Sequence, residues 1–345
     1  MGGARDLPLR QQTMRGAIDW SYELLNEEEK KLFRRLSVFV DGFEFEGAEA
    51  VCHLVGETEI DILDGIESLV DKSLLRQKET VDGETRFAMF ETIKEYGLEQ
   101  LVNSGEAAKA QRSHAAFFLE FAERAEAELV GVHQDVWLDK VESEHGNLRA
   151  AIHWSLENDE AELGVRLAGA LWRFWEMRGY VTEGRARLSG LLSLTSKPVP
   201  AKARLKALYA GGVLADAQCD YGAARSLFEE QLALNRKLED KWGIANSLNN
   251  LGIEALRQRD YAAARGLYEE SLLIWRQLGN DRAAALSLSN LGNVADLLGE
   301  HEAARDRYEE SLEVFKTLKD QRGVALSLGH MGDVARHQGN HESAR

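Results

Sequence analysis

The sequence is poor in cysteine and proline and has fewer basic than acidic residues, and each of these features excludes a class of structure or function. The two cysteines, Cys52 and Cys219, lie far apart without metal-ligand spacing, so they indicate reduced thiols rather than a disulfide framework. Three prolines in 345 residues are typical of a helical chain. Lysine and arginine number 42 against 58 aspartates and glutamates, a formal net charge of −16. Such an excess of acid disfavours general binding to nucleic acid or to an anionic membrane.

The sequence also lacks a membrane-spanning segment, a signal peptide and a nucleotide-binding motif. No apolar run approaches the roughly 20 residues that a membrane helix needs, and the first ten residues have no signal-peptide core, so we expect a cytoplasmic protein. No GxxxxGK[ST] phosphate loop is present, and no apolar strand ends in an acid that would hold magnesium. We therefore predict no ATP chemistry and no cofactor in this chain.

Side chains with potential chemistry do not form a catalytic or metal pattern. The paired carboxylates Glu229-Glu230, Glu269-Glu270 and Glu309-Glu310 recur at a fixed interval, which is typical of a surface scaffold rather than of an acid–base pair. The histidines considered as metal ligands are His133, His145, His153, His337 and His341. They lack a paired carboxylate on one secure helix face, so we predict solvated or hydrogen-bonded side chains and no metal site. We expect the protein not to be an enzyme.

What the sequence does contain is a repeat. Copies of a 40-residue phrase begin at Tyr221, Tyr261 and His301, and a fourth begins at His341 and stops at Arg345. Each copy predicts two amphipathic helices, because apolar residues recur three and four positions apart. A solenoid needs a polar terminal cap, so from the unfinished copy we expect a fragment or a truncated reading frame.

Small and aromatic residues in each copy carry a family resemblance. Gly252 and Ala264 are small where two helices must approach, and Tyr268 fills the space beside them. The set resembles the tetratricopeptide repeat, lengthened from its usual ~34 residues. A degenerate earlier copy places Gly211-Gly212 where the next copy has Leu251-Gly252. The resemblance implies an α-solenoid of helix pairs.

The first hundred residues do not repeat. They predict helices, one of them capped by Asn26, and then a β-hairpin whose tight turn is Asp82-Gly83. This order predicts a winged helix, and direct DNA binding is one function of such a domain. The helix that would enter the groove is acidic, with Glu59, Asp61, Asp64, Glu67 and Asp71 against Lys72 and Arg76. Phosphate contacts need the opposite charge, so DNA binding is the alternative rather than the main prediction.

Longer phrases resemble one regulatory family. The segments "LPLRQQTMRGAIDWSYELLNEEEKKLFRRLSVFVDGF", "LVDKSLL" and "RFAMFETIKEYGLEQL" are similar to the part that follows the nucleotide-binding core in STAND-type bacterial regulators. The resemblance implies that ATP or ADP binds only to an upstream domain outside this chain. Met89, Phe90 and Glu91 stand at the place of that family's nucleotide-sensing Met-His-Asp motif, with Phe90 replacing the histidine. Burial of Met89 and Phe90 in the second wing strand is the simpler interpretation, and both interpretations stay open here.

Together, these predictions give a mainly α fold, with a winged helix that has one β-hairpin, then a helical linker, and then an α-solenoid of helix pairs. The predicted limits are 1–20 for the tail of a preceding helical segment, 21–102 for the winged helix, 103–197 for the repeat-like linker and 198–345 for the repeats.

Polar residues recur on the first helix of each copy, and they predict a binding groove. They are Asn249, Asn250, Ser289, Asn290, Asn293, His330 and Asp333. An amide both donates and accepts, so a row of amides can hold an extended peptide backbone, whereas a solvated helix face is the alternative. The predicted function is regulatory interaction with a protein, a peptide or a small inducer. Self-association is a further option, and neither nucleic acid nor a membrane is an expected partner.

Overall fold

The computed structural model describes residues 14–52, 61–79, 85–194 and 196–337, and they form two compact units. The first unit ends at residue 180 and regains residues 190–199, and the second holds residues 181–189 and everything from residue 200 onwards. The units divide within helix α11, Val181–Leu192.

The first unit begins with helices and a two-stranded antiparallel sheet. Its elements are α1 Met14–Glu23, α2 Glu27–Leu36, α3 Phe45–Cys52, α4 Ile62–Asp71, β1 Arg76–Glu79, β2 Thr85–Ala88 and α5 Glu91–Asn103. In the hairpin Arg76 lies opposite Ala88 and Glu79 opposite Thr85. The winged helix predicted from the sequence is therefore confirmed, while the turn at Asp82-Gly83 lies outside the described residues.

Helix α2 shows why this part of the sequence is helical. Asn26 accepts a hydrogen bond from the Glu29 backbone N–H at 2.9 Å, and the Glu29 carboxylate accepts one from the Asn26 N–H at 3.0 Å, which makes a capping box. Leu32, Phe33 and Leu36 follow at helical spacing and are at most 1% exposed. The predicted cap and buried face are both confirmed.

A second group of helices completes the first unit, and buried polar contacts join it to the winged helix. These helices are α6 Ala107–Glu128, α7 Gln134–Ser143, α8 His145–Glu157, α9 Ala161–Ala170 and α10 Trp172–Arg178. Arg86 of β2 forms a buried ion pair with Glu144. Asn147 of α8 accepts from the Val40 N–H at 2.6 Å and donates to the Gly42 carbonyl at 2.9 Å. The winged helix and the following helices therefore form one packed body.

Arg35 makes a second buried link. Its side chain is fully buried, and it donates to the Cys52 carbonyl at 3.0 Å and to the Glu106 carboxylate at 2.7 Å. Arg34 donates to the same carboxylate at 2.6 Å. Burial opposes ionisation of Glu106, but the two guanidinium groups outweigh it and lower the pKa of Glu106 to about 2.

The second unit is the repeat array. Its helices are α12 Ala201–Ala217, α13 Tyr221–Lys237, α14 Lys241–Arg257, α15 Tyr261–Gln277, α16 Asp281–Leu297, α17 His301–Thr317 and α18 Gln321–His337. Each contains 17 residues, and successive helices begin 20 residues apart, so the 40-residue repeat is built from two equal halves. We call α12, α14, α16 and α18 the A helices, and α13, α15 and α17 the B helices.

Both ends of each half-repeat are set by local chemistry. The side chains of Asp220, Asp240, Asp260 and Asn280 each accept a backbone N–H bond at the helix start. A left-handed residue follows the helices α12 to α17, at Cys219, Glu239, Arg259, Gly279, Gly299 and Lys319. These signals explain why helices and turns alternate with a constant interval.

Glycine and an aromatic ring pack together in every pair. A Cβ on Gly252 would lie 2.5 Å from the Tyr268 ring, and a Cβ on Gly292 would lie 2.5 Å from the Tyr308 ring. Gly212 has the same relation to Phe228, also at 2.5 Å. The predicted role of the repeat's glycine and aromatic residues is confirmed, and it extends to the degenerate copy in α12.

Candidate functional site

The polar residues predicted to form a groove lie on the A helices, but they have different surroundings. Asn249, Asn250, Asn290 and Asn293 are half-buried, as are His330 and Asp333. Ser289 is only 2% exposed, and its hydroxyl lies 2.8 Å from that of Ser311, so it belongs to the helix packing. Ser289 is therefore not placed to contact a ligand.

Two further members of the predicted set are engaged within the repeats. Asn293 Oδ1 accepts a hydrogen bond from the Tyr308 hydroxyl at 2.7 Å, and Asp333 pairs with Arg336 one helical turn away. The centroids of the His330 and Tyr308 rings lie 5.1 Å apart. Burial lowers the pKa of His330. These contacts indicate that Asn293 has a structural role at least in part.

The remaining amides form a continuous polar surface. Asn290 Nδ2 on α16 donates to Asn249 Oδ1 on α14 at 2.9 Å, so successive A helices meet through their amides. Asn250 adjoins Asn249, and Asn246 lies one turn earlier on the same face of α14. We name Asn246, Asn249, Asn250 and Asn290 the amide face.

The amide face continues into a cavity that the sequence did not predict. Its volume is about 370 Å³, and its lining includes Lys206 and Tyr209 of α12, Asn235 of α13, and Trp242 and Asn250 of α14. Asn235 is 3% exposed, its Nδ2 donates to the Ser247 hydroxyl at 3.1 Å, and its Oδ1 has no hydrogen-bond partner in the described part of the chain. A signal for it was present, since the equivalent positions 40 and 80 residues later are Trp275 and Phe315.

Met89, Phe90 and Glu91 lie at the start of α5, beside the wing. Phe90 is 53% exposed and precedes the helix, so its predicted burial in the second strand is wrong. The chain leaves the strand at Ala88, and the Phe90 ring then packs under the Arg76 guanidinium, 4.7 Å from the ring centroid. All three residues line a cavity of about 260 Å³. A nucleotide contact there stays a prediction.

The face of the winged helix that would approach DNA is acidic. Helix α4 carries Asp64, Glu67 and Asp71, and an adjoining cavity of about 700 Å³ is lined by acidic residues and apolar side chains. Lys72 is held by the Glu29 carboxylate at 2.5 Å, where it joins the Ser68 hydroxyl. Burial raises the pKa of Glu29, but these hydrogen bonds prevail and lower it overall. The two cations counted from the sequence, Lys72 and Arg76, are thus both engaged by neighbours.

The histidines considered as metal ligands stay separate. Within the described residues no group of three histidine, cysteine or acidic side chains could hold a metal ion. His145 packs against Tyr180, His153 pairs with Glu157 at 3.2 Å, and His337 contacts Asp296 at 3.0 Å. His341 lies outside the part described.

Among the described helices, none is both long and apolar enough to cross a membrane.

Comparison with known proteins identifies both folded parts. Residues 25–102 match the model of a winged helix-turn-helix domain, and residues 243–317 match that of the tetratricopeptide repeat. The chain carries a winged helix-turn-helix domain followed by tetratricopeptide repeats. The fold class, the winged helix and the resemblance to the tetratricopeptide repeat, all predicted from the sequence, are confirmed.

Relatives extend the comparison beyond single domains. A protein of Mycobacterium bovis named as an HTH-type transcriptional regulator is 38% identical over 191 residues, 55% of this chain and 21% of the relative. The match therefore spans about a fifth of that protein's length.

One solved structure shares the fold of this chain, and a second is similar in part. The apo form of RapI superposes with a TM-score of 0.51 at 15% identity, over 74% of this chain and 67% of RapI, which shows the fold alone. A STAND protein with a tetratricopeptide repeat sensor from Pyrococcus horikoshii gives a TM-score of 0.49 at 18% identity, over 98% of this chain and 57% of that one.

Proposed function

We propose that this chain is a non-catalytic regulatory region of a STAND-type transcriptional regulator of the cytoplasm, and that its repeats bind an extended peptide segment of a protein partner. The 38% sequence identity to a protein named as an HTH-type transcriptional regulator supports the regulatory role. The sequence phrases in and around the winged helix support the STAND type. The amide face carries the proposal for the ligand. A small inducer in the same place is the alternative ligand.

The chemistry of the amide face fits a peptide backbone. Each Asn side chain offers both a donor and an acceptor, which matches the alternation of N–H and C=O along an extended chain. The stacked repeats present the face on consecutive A helices, and solenoids use such surfaces for extended ligands. Because recognition would go through the backbone, the face by itself accepts many sequences.

The experiment uses the whole chain and a peptide selected against it from a displayed library. Substituting Asn249, Asn250 and Asn290 together by Ala should weaken the selected peptide by about ten- to a thousandfold, at about 0.5–1.5 kcal/mol for each lost hydrogen bond. Isothermal titration measures the affinity, and circular dichroism melting checks the fold.

A matched control changes three exposed carboxylates at equivalent places on the B helices, Glu229, Glu269 and Glu309, to Gln. This variant should bind the peptide as the unmodified chain does. Unchanged binding by the amide variant would refute the proposed groove, and loss of folding would show that these amides are structural.

Direct DNA binding is the second candidate, because the matching domain model and the relative both carry the helix-turn-helix name. The acidic α4 and the engaged Lys72 and Arg76 oppose it. Titration of a labelled DNA duplex with the whole chain tests it.

A further inference from the structure

The cavity beside the amide face exists because one repeat position differs from its equivalents. In the later copies that position holds Trp275, 3% exposed, and Phe315, fully buried. The Phe315 ring reaches within 2.3 Å of the point where a Cβ would lie on Gly323. In the first copy Asn235 stands opposite Gly243, and the smaller side chain leaves about 370 Å³ open. The cavity is therefore built into the sequence of this copy.

Two oxygens converge in this space. Asn235 Oδ1 lies 2.5 Å, and Asp240 Oδ2 lies 2.7 Å, from the point where a Cβ would stand on Gly243. The two oxygens are consequently within about 5 Å of each other. Asn235 Oδ1 is unpartnered, and the other Asp240 oxygen accepts the Gly243 N–H at 3.0 Å. One group with several N–H bonds could donate to both oxygens, since each bond spans about 3 Å.

A later copy shows which group suits this carboxylate. Asp320 is the equivalent of Asp240, and its Oδ2 accepts from the Arg282 guanidinium at 2.8 Å. Lys202 corresponds to Arg282 in register, and no ion pair between Lys202 and Asp240 occurs in the described part of the chain. The repeat position that Asp240 occupies therefore binds a guanidinium in the copy that contains Asp320.

We propose that the cavity anchors a basic side chain, arginine or lysine, of the peptide bound along the amide face. This rests on the proposed function and adds a sequence preference to it. The cation would donate to Asn235 Oδ1 and Asp240 Oδ2, while the aromatic rings of Tyr209 and Trp242 line its path. The net charge of −16 attracts cationic ligands generally. Lys206 also lines the cavity and repels a cation, so binding requires that the Asp240 carboxylate and the Asn235 oxygen outweigh it.

The test titrates the whole chain with N-acetyl-arginine amide, its neutral isostere N-acetyl-citrulline amide, and N-acetyl-glutamate amide. The Trp242 indole N–H signal reports binding by NMR and is assigned by Trp242→Phe. We expect the arginine probe to bind about tenfold more tightly than the citrulline probe, as charge-assisted bonds are the stronger ones. Equal binding of the two, or preference for the glutamate probe, would overturn the proposal.

Variants locate the effect in the cavity. Asn235→Phe introduces the residue that Phe315 provides in the third copy, and it should weaken the arginine probe about tenfold or more. Gly243→Ala is the variant to use if Asn235→Phe folds poorly. The second copy has Ala283 at the equivalent position, and the added methyl group should likewise weaken the arginine probe. Lys206→Ala should leave arginine binding unchanged or stronger, because it removes a positive charge beside the bound cation, and a tenfold weaker arginine probe would contradict the cation site.

The same variants separate this proposal from the function it rests on. If Asn235→Phe still binds the selected peptide with an unchanged preference for a basic residue, the anchor is wrong and the groove stands. If the amide-face variant also binds normally, both ideas fail.

Discussion

Glu254 is a buried acid at a repeat position where the other copies carry aliphatic residues. It is 2% exposed, its Oε2 has no hydrogen-bond partner within the described residues, and the same position holds Leu214, Val294 and Val334 in the other copies. Burial and the nearby Asp216 carboxylate raise its pKa to about 7, against the opposing effect of Arg257. A buried acid therefore replaces an aliphatic side chain in one copy.

A raised pKa has a definite consequence for stability. The raised pKa of Glu254 makes a contribution to the free energy of unfolding that is fully present below the ordinary pKa of 4.5. This contribution is lost as the pH rises through about 7. Glu254→Leu should stabilise the chain at pH 8 by about 1–3 kcal/mol, the usual cost of an unsatisfied buried polar group. The gain should be smaller at pH 5.

Urea unfolding of both proteins at the two pH values measures this difference. Glu269→Leu, at an exposed acid of α15, is the control and should show little dependence on pH. An equal gain from Glu254→Leu at pH 5 and pH 8 would contradict the raised pKa, because a raised pKa makes the folded chain bind more protons than the unfolded chain over this range.

Local residue patterns could be predicted from the sequence, whereas long-range polar partners could not. Asn26 is followed three residues later by Glu29, and that spacing alone indicates the capping box. The Arg86–Glu144 pair joins residues 58 positions apart, and nothing in either segment points to the other. The Asn235 cavity could be predicted in part. Aligning the copies shows that Asn235 replaces an aromatic residue, but it does not show that the oxygens of Asn235 and Asp240 lie close together.

Among the elements, the helix pairs depend on glycine at one close approach. Gly252 faces the Tyr268 ring of the next helix, and a methyl group there would lie 2.5 Å from a ring carbon. Gly266 lies in the exposed middle of α15, with nothing within 4 Å of its Cβ position. The two glycines therefore separate a packing requirement from helix propensity.

Alanine substitutions at Gly252 and Gly266 should change the free energy of unfolding in opposite directions. Gly252→Ala should destabilise the repeats by about 1–3 kcal/mol, because the pair of helices must separate or the ring must move. Gly266→Ala should stabilise by about 0.5–1 kcal/mol, since alanine loses less backbone entropy in a helix. Thermal and denaturant unfolding measure both, and destabilisation of the same size by Gly266→Ala would remove the packing explanation.

Element bounds were predictable where the repeat constrained them. Three copies in one register fix the amphipathic face and the break between helices, and the 17-residue helices follow that register. In the winged helix no such redundancy exists. There the pattern indicated the strands but placed Phe90 in β2, although the chain leaves the sheet two residues earlier and starts α5.

At the scale of the whole molecule, the distribution of charge decides between the two candidate functions. The chain carries a net charge of −16, and the cavity beside α4 is lined by Glu44, Glu46, Glu67 and Asp71, with no lysine or arginine among the described residues that line it. A DNA-binding winged helix needs cations on this side, because phosphate contacts supply most of the affinity. We therefore expect the whole chain not to bind duplex DNA.

Fluorescence anisotropy of a labelled duplex measures this directly, over a series of salt concentrations. Proteins with a basic face bind duplex DNA non-specifically with Kd of about 10⁻⁴ to 10⁻⁶ M, and their affinity falls steeply as salt is added. This chain should show no saturable binding in that range, even at low salt where screening is weakest. Reversing charge with Glu67→Lys and Asp71→Lys gives a variant whose weak binding would prove that the assay detects a cationic α4. Saturable, salt-sensitive binding by the unmodified chain would instead favour direct DNA recognition, and it would require a cationic surface other than α4.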